Sequence, residues 1–147
     1  MAEACLDPTA LVDKLDERQF AELWDAAQSR KCFEKYGART IEGLLDKWGH
    51  VPLCPGCGST HPRLDGRAPN GTKRYRCREC GCRFSALTGT IFADAKLPLH
   101  KIMRIVEVMC HNASLRLIEL VAEVSHGTAF LWRHKVFSTI DSWQDKV

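Results

Sequence analysis

The 147-residue chain lacks any apolar run near the roughly 18 residues a membrane span requires. It lacks internal repeats, low-complexity tracts and the glycine period of collagen. Its first residues, Met1 to Leu6, carry Glu3 and no basic stretch, so no secretory signal is read there. Acidic residues are scarce in one place: only Asp65 and Glu79 fall between positions 61 and 84. What remains, 45 % hydrophobic and 27 % charged, is an ordinary globular composition, long enough for one medium domain or two small ones.

The formal net charge of +3 conceals a segregation. Residues 1–50 hold 7 basic and 10 acidic side chains, residues 61–104 hold 10 and 3, and residues 105–147 hold 4 and 5. Positive charge is therefore concentrated in the middle of the chain. Eight cysteines are also present, a high number. With no secretory signal a reducing cytoplasm is expected, where paired cysteines more often hold metal than form disulfides.

Periodicity separates three regions. In the first, Asp7-Pro8 is a helix start and Asp16 to Gln19 a capping box. Phe20, Leu23, Trp24 and Ala27 follow at the spacing of one helix face, read as the inward one. Thr40 caps a further helix carrying Ile41, Leu44, Leu45 and Trp48, which Gly49 ends. In the second region glycine, proline and cysteine dominate. Lys73–Arg76 and Arg83–Leu87 read as strands, and Asn70-Gly71 as a turn. The third returns to helical spacing. Leu99, Ile102, Met103, Val106, Met109 and Cys110 mark one helix, and Ser114 caps a second with Leu115, Ile118, Val121 and Ala122 inward. Ser125 caps a third, running to about Ile140.

The central region carries Cys54-Pro55-Gly56-Cys57-Gly58 and Cys77-Arg78-Glu79-Cys80-Gly81. This is C-x2-C, 19 residues, C-x2-C, within the spacing of zinc sites. Two intervening residues let a tight turn bring both sulfurs to one ion. The glycine after each pair supplies the positive φ that closes the turn. Four protein ligands leave no position for water, so the expected Zn2+ is single and structural. Two disulfides are the alternative, and Cys82 and His61 lie near enough to compete as ligands. Cys5, Cys32 and Cys110 read as ordinary residues, Cys110 as a buried small hydrophobe on an apolar helix face.

Arg63, Arg67, Lys73, Arg74, Arg76, Arg78 and Arg83 crowd this block, with Tyr75 and Phe84 interleaved. Alternation puts Lys73, Tyr75 and Cys77 on one side and Arg74 and Arg76 on the other. Such a surface suits phosphate contacts, against the plainer reading of a solvated face. In the third region, three helices with a short joint near Glu123 to Gly127 outline a helix-turn-helix, whose last helix would enter the DNA major groove. On that helix Ala129, Trp132, Val136 and Ile140 face inward with Phe137 beside them. Arg133 falls on the apolar arc, where a snorkelling or internally paired side chain is expected. Thr128, Leu131, His134 and Lys135 face away and are candidate DNA contacts, joining Arg63, Lys73, Arg74, Arg76 and Arg83.

The run from Cys54 to Val136 resembles the N-terminal region of bacterial insertion-sequence transposases that begin with a zinc ribbon. The matching pieces are the two knuckles, Arg74-Tyr75-Arg76 before the second, Arg83-Phe84-Ser85-Ala86-Leu87-Thr88-Gly89-Thr90-Ile91-Phe92, Lys96-Leu97-Pro98-Leu99, and Thr128 to Lys135. The resemblance covers a little over half of the chain. It implies a ribbon and helix-turn-helix that recognise the element's DNA ends, ahead of a separate nuclease-like catalytic domain. Only Asp141 and Asp145 follow the third helix here, so no catalytic core is expected in this chain, which reads as a truncated, decayed or standalone DNA-binding derivative.

The expectation is therefore a small α+β protein: a helical N-terminal arm over 1–50, a zinc ribbon of short antiparallel strands over 51–95, and a three-helix helix-turn-helix bundle over 96–147. Its expected partner is double-stranded DNA in the bacterial cytoplasm, associated with the nucleoid, and its role binding, not catalysis. A transcriptional regulator and a zinc-ribbon interaction adaptor, docking a protein through the acidic arm, are the alternatives. No heptad seam that would make a dimer is read in the sequence.

Overall fold

The computed structural model describes residues 7–69 and 71–144, with side-chain placement described as far as Asp141. Cys5, Asn70 and Asp145, and with them the turn expected at Asn70-Gly71, fall wholly or partly outside those residues. The described part contains helices α1 (Pro8–Val12), α2 (Glu17–Tyr36) and α3 (Ile41–Lys47), strands β1 (Pro62–Arg67), β2 (Lys73–Cys77) and β3 (Arg83–Ser85), and helices α4 (Leu99–Cys110), α5 (Leu115–Ala122) and α6 (His126–Gln144). Among these residues no helix is long and apolar enough to cross a membrane.

Local sequence sets the helix ends. The Asp7 side chain accepts from the Thr9 amide with Pro8 in the first turn. Asp16 and Gln19 form the expected reciprocal capping box. Thr40 accepts from Gly43 and Ser114 from Leu117. At the end of α2, Gly37 takes φ 72, a left-handed cap that glycine adopts without steric cost.

The strands form one antiparallel sheet in the order β1-β2-β3. Strand β1 was not anticipated from the sequence. Its residues Pro62-Arg63-Leu64-Asp65-Gly66-Arg67 are proline- and glycine-containing and poor in β-branched side chains. Its pairing is irregular between Leu64 and Arg67. Registered pairs run Arg63 to Arg76 to Arg83, and Leu64 to Tyr75 to Phe84. One face of the sheet is therefore arginine-rich and the other apolar.

Two cores result. The smaller is Cys54, Cys77 and Phe84, flanked by Tyr75 and Cys82. The larger joins Cys32, Leu44 and Leu45 from the N-terminal helices, and Ala38 between them, to Phe92, Leu99, Ile102, Ile105, Ile118, Ala129 and Trp132. The N-terminal helices thus share a core with the C-terminal bundle, and α2 lies on α4.

Three expected inward faces are corrected. The Phe20, Leu23, Trp24 and Ala27 stripe of α2 faces solvent; Gln28 and Cys32 are the buried positions instead. Helix spacing shows which residues share a face, but the neighbour that fits decides which face is covered, and here α4 meets the Gln28 side. On α6, Ala129 and Trp132 are buried as expected, but Val136 is half-buried and Phe137 and Ile140 lie 46 % and 47 % exposed. The helix runs on past the end of α5, so its last turns outreach the core. Cys110, at the last position of α4, is exposed rather than buried.

Candidate metal centre and basic face

Both knuckles fold as short turns held by their own backbone. The Gly58 amide donates to the Cys54 carbonyl at 2.8 Å and the Cys77 amide to the Cys82 carbonyl at 2.9 Å. The trailing glycines sit at φ 70 and 73, the conformation their position requires. The sulfurs of Cys54, Cys57, Cys77 and Cys80 all lie within 4.8 Å of one another. Across the two knuckles, Cys54 and Cys80 are 3.4 Å apart and Cys57 and Cys77 3.5 Å apart. A disulfide requires about 2.05 Å. Four sulfurs about 2.3 Å from one tetrahedral zinc would stand about 3.8 Å apart. The spacing therefore fits a metal site and excludes disulfide bonds among these four.

The protonation pattern fits a cation as well. The Cys80 and Glu79 amides point at Cys77 and, against burial, draw its thiol down to about 6. Burial pushes Cys54 up, but the amides of Gly56 and Cys57 bring it below the usual thiol range. The Ser59 amide draws Cys57 down, yet the facing Cys77 and Cys80 sulfurs push it up to about 12. Cys80 likewise receives the Cys82 amide but is raised, chiefly by the Cys54 sulfur. Two thiolates in so small a space hold protons on the other two; a divalent ion removes that conflict. A tetrathiolate site supplies no open position, so such an ion would act by holding the two knuckles together.

Neither competing ligand joins the cluster. Cys82 is half-buried in the small core with its thiol toward the Arg83 carbonyl at 3.8 Å. His61 is exposed, its Nδ1 3.4 Å from the Thr60 hydroxyl.

The basic residues divide into two groups. On the sheet face opposite the small core, Arg63, Arg76 and Arg83 stand directly across from one another on the three strands. Arg74 is two residues from Arg76 on the same face. Arg63, Arg76 and Arg78 line an open concavity of about 750 Å³ beside Cys77 and Cys80. Only Arg83 of this set has an acidic partner among the described residues, Asp65 at 3.1 Å. The other group is tied to α3. Lys73 lies on the apolar side, its ammonium against Asp46 and its backbone amide on Glu42; the Asp46 carboxylate holds its pKa above the usual lysine value. Arg67 reaches Glu42 at 3.4 Å and the Gly71 carbonyl at 2.9 Å.

No known protein family, curated protein or solved structure matches this chain.

The α6 candidates are less uniform than their spacing implied. Lys135 is half-buried and donates to the Ala93 carbonyl at 2.8 Å, its ammonium over the Trp132 ring. Thr128 is half-buried, and its hydroxyl meets Ser125 at 2.9 Å. Leu131 is 62 % exposed, and His134 is exposed with its ring edge-on to Phe130. Sequence reasoning missed Glu42 and Asp46, which tie α3 to the ribbon. Their i, i+4 spacing puts them on one polar flank of α3, and that was the available signal. Their partners were not readable, because the pairing joins residues 25 to 31 positions apart.

Proposed function

We propose that this chain is a zinc-stabilised protein that binds double-stranded DNA through the arginine face of its ribbon. The observation that carries the reading is the cross-strand row Arg63-Arg76-Arg83, extended by Arg74 and Arg78. Like charges directly opposite one another weaken a sheet. A row of them with one carboxylate partner is a surface whose own repulsion a polyanion relieves. Arginine suits this role because its planar fork can bind a phosphate through two hydrogen bonds.

The likeness of the ribbon sequence to insertion-sequence transposases supports DNA as the polyanion and the recognition of an element's end as the role. The short α5–α6 joint supports a helix-turn-helix arrangement of α4 to α6. Base reading by α6 is supported less, since Lys135 is drawn to the Ala93 carbonyl and the Thr128 hydroxyl is engaged with Ser125. The zinc site contributes by fixing β2, which carries Cys77 and the central arginines together.

Fluorescence anisotropy on zinc-loaded protein tests this. Replacing Arg63, Arg74 and Arg76 together with glutamine should weaken binding to all duplexes alike. It should also flatten the slope of log affinity against log salt by about 2.7, three phosphate contacts at about 0.9 each. An unchanged slope would remove the ribbon face from the interface.

A further inference from the structure

We propose that the exposed apolar flank of α6 is a self-association surface, on which a second copy of this chain packs antiparallel about Phe137. The inference stands apart from the DNA reading and does not depend on it.

A helix that covers a core on one side should be polar over the rest of its circumference. One flank of α6 is not. The helix buries Ala129 and Trp132 inward, yet Phe130 and Phe137, about a quarter-turn round from Ala129, and Ile140, on the side of Ala129, are each nearly half exposed. Along this flank His126, Phe130, Arg133, Phe137 and Ile140 recur at spacings of 4, 3, 4 and 3, the seam of a helix that packs against another helix.

Charge then selects the occupant and its direction. Arg133 lies over the Phe137 ring, 5.5 Å from its centroid, and Asp141 is exposed beside Ile140. Among the described residues neither has an ion-pair partner. Phe137 is midway between them. An antiparallel copy crossing at Phe137 therefore sets each Arg133 opposite the Asp141 of the other copy, twice over, with the two Phe137 rings at the dyad. Parallel packing would set arginine against arginine and aspartate against aspartate, which is repulsive. The other exposed apolar stripe, on α2, lacks this signature: Arg18 pairs with Glu22 there, and the Trp24 indole donates to Glu123.

One helix pair lies at the small end of specific interfaces. The association should thus be reversible, with a dissociation constant on the order of micromolar or weaker.

Sedimentation velocity on the zinc-loaded chain, without DNA, from about 1 µM to about 500 µM tests it across that range. A reversible dimer is expected. Phe137→Glu should weaken it at least about tenfold, and Leu23→Glu on α2 should leave it unchanged. Arg133→Asp and Asp141→Arg should each weaken it about tenfold, and combining them should restore it to within about threefold, which only the antiparallel register allows. Zinc content and far-UV dichroism check the fold of each variant, and if Phe137→Glu does not fold the charge-reversal set decides alone. A monomer throughout would overturn the proposal. So would a dimer lost with Leu23→Glu but kept with Phe137→Glu, or a double reversal that fails to restore association.

Discussion

Cys57 shows how one side chain can depend on a metal. It is exposed, and its neighbouring sulfurs hold its thiol proton on up to about 12. A zinc ion bound as proposed must displace that proton, so affinity should fall as pH falls. Cys57→Ser leaves three sulfurs in the cluster. Structural zinc contributes on the order of 10–16 kcal/mol near neutral pH, far more than a ribbon core of three buried residues can replace. The expected outcome is loss of bound zinc by atomic absorption and collapse of the ribbon amides in a heteronuclear NMR spectrum. Full zinc occupancy in a folded variant would contradict the ligand assignment. The clustering of Cys54, Cys57, Cys77 and Cys80 was legible from sequence because their spacing and trailing glycines are local properties. The exclusion of Cys82 was not, because its position two residues past Cys80 is compatible with either side of the turn.

The contact between α2 and α4 turns on Glu107. Burial alone would raise its carboxyl, but hydrogen bonds from Lys35 and from the Tyr36 hydroxyl hold it below the usual carboxylate range. A depressed carboxylate contributes stability that is present above its unfolded pKa, about 4.3, and is lost as pH falls through the lower folded value. Glu107→Gln should therefore cost about 1 kcal/mol at neutral pH, and the gap from the native chain should close near pH 3. Urea midpoints at the two pH values measure this; an equal deficit at both would show that the charge of Glu107 is not what matters. Helix positions themselves were well anticipated, since Asp16, Thr40 and Ser114 cap where the sequence places them. Which face of α2 is buried was not, because Phe20 and Leu23 form as regular a stripe as Gln28 and Cys32 do.

The molecule has two cores joined by polar ties. The ribbon packs around Cys54, Cys77 and Phe84, the helices around Ile102, Ile105 and Ile118, and Glu42 and Asp46 of α3 clamp Arg67 and Lys73 between them. Among the described residues, the cluster that could hold a metal ion lies at the ribbon core. A zinc chelator should consequently abolish the dispersed NMR signals of residues 54–85 while the helical far-UV dichroism persists. Simultaneous loss of both would show that the helical core needs the ribbon to fold. The same clamps shape the functional surface. Lys73 and Arg67 are taken up by α3, and the arginines left for a partner are those on the opposite face.

The amino-acid sequence by itself determined the two cysteine knuckles, the helix starts and the concentration of positive charge, because each depends on residues within a few positions of one another. Tertiary structure decided the rest. Long-range pairing added β1 and lined up Arg63, Arg76 and Arg83, which are separated by up to 20 positions. Packing chose one side of α2 and left another bare. It drew Lys135 inward to the Ala93 carbonyl and turned Phe130, Phe137 and Ile140 to solvent. A residue's spacing states which neighbours share its face; only the fold states what that face meets.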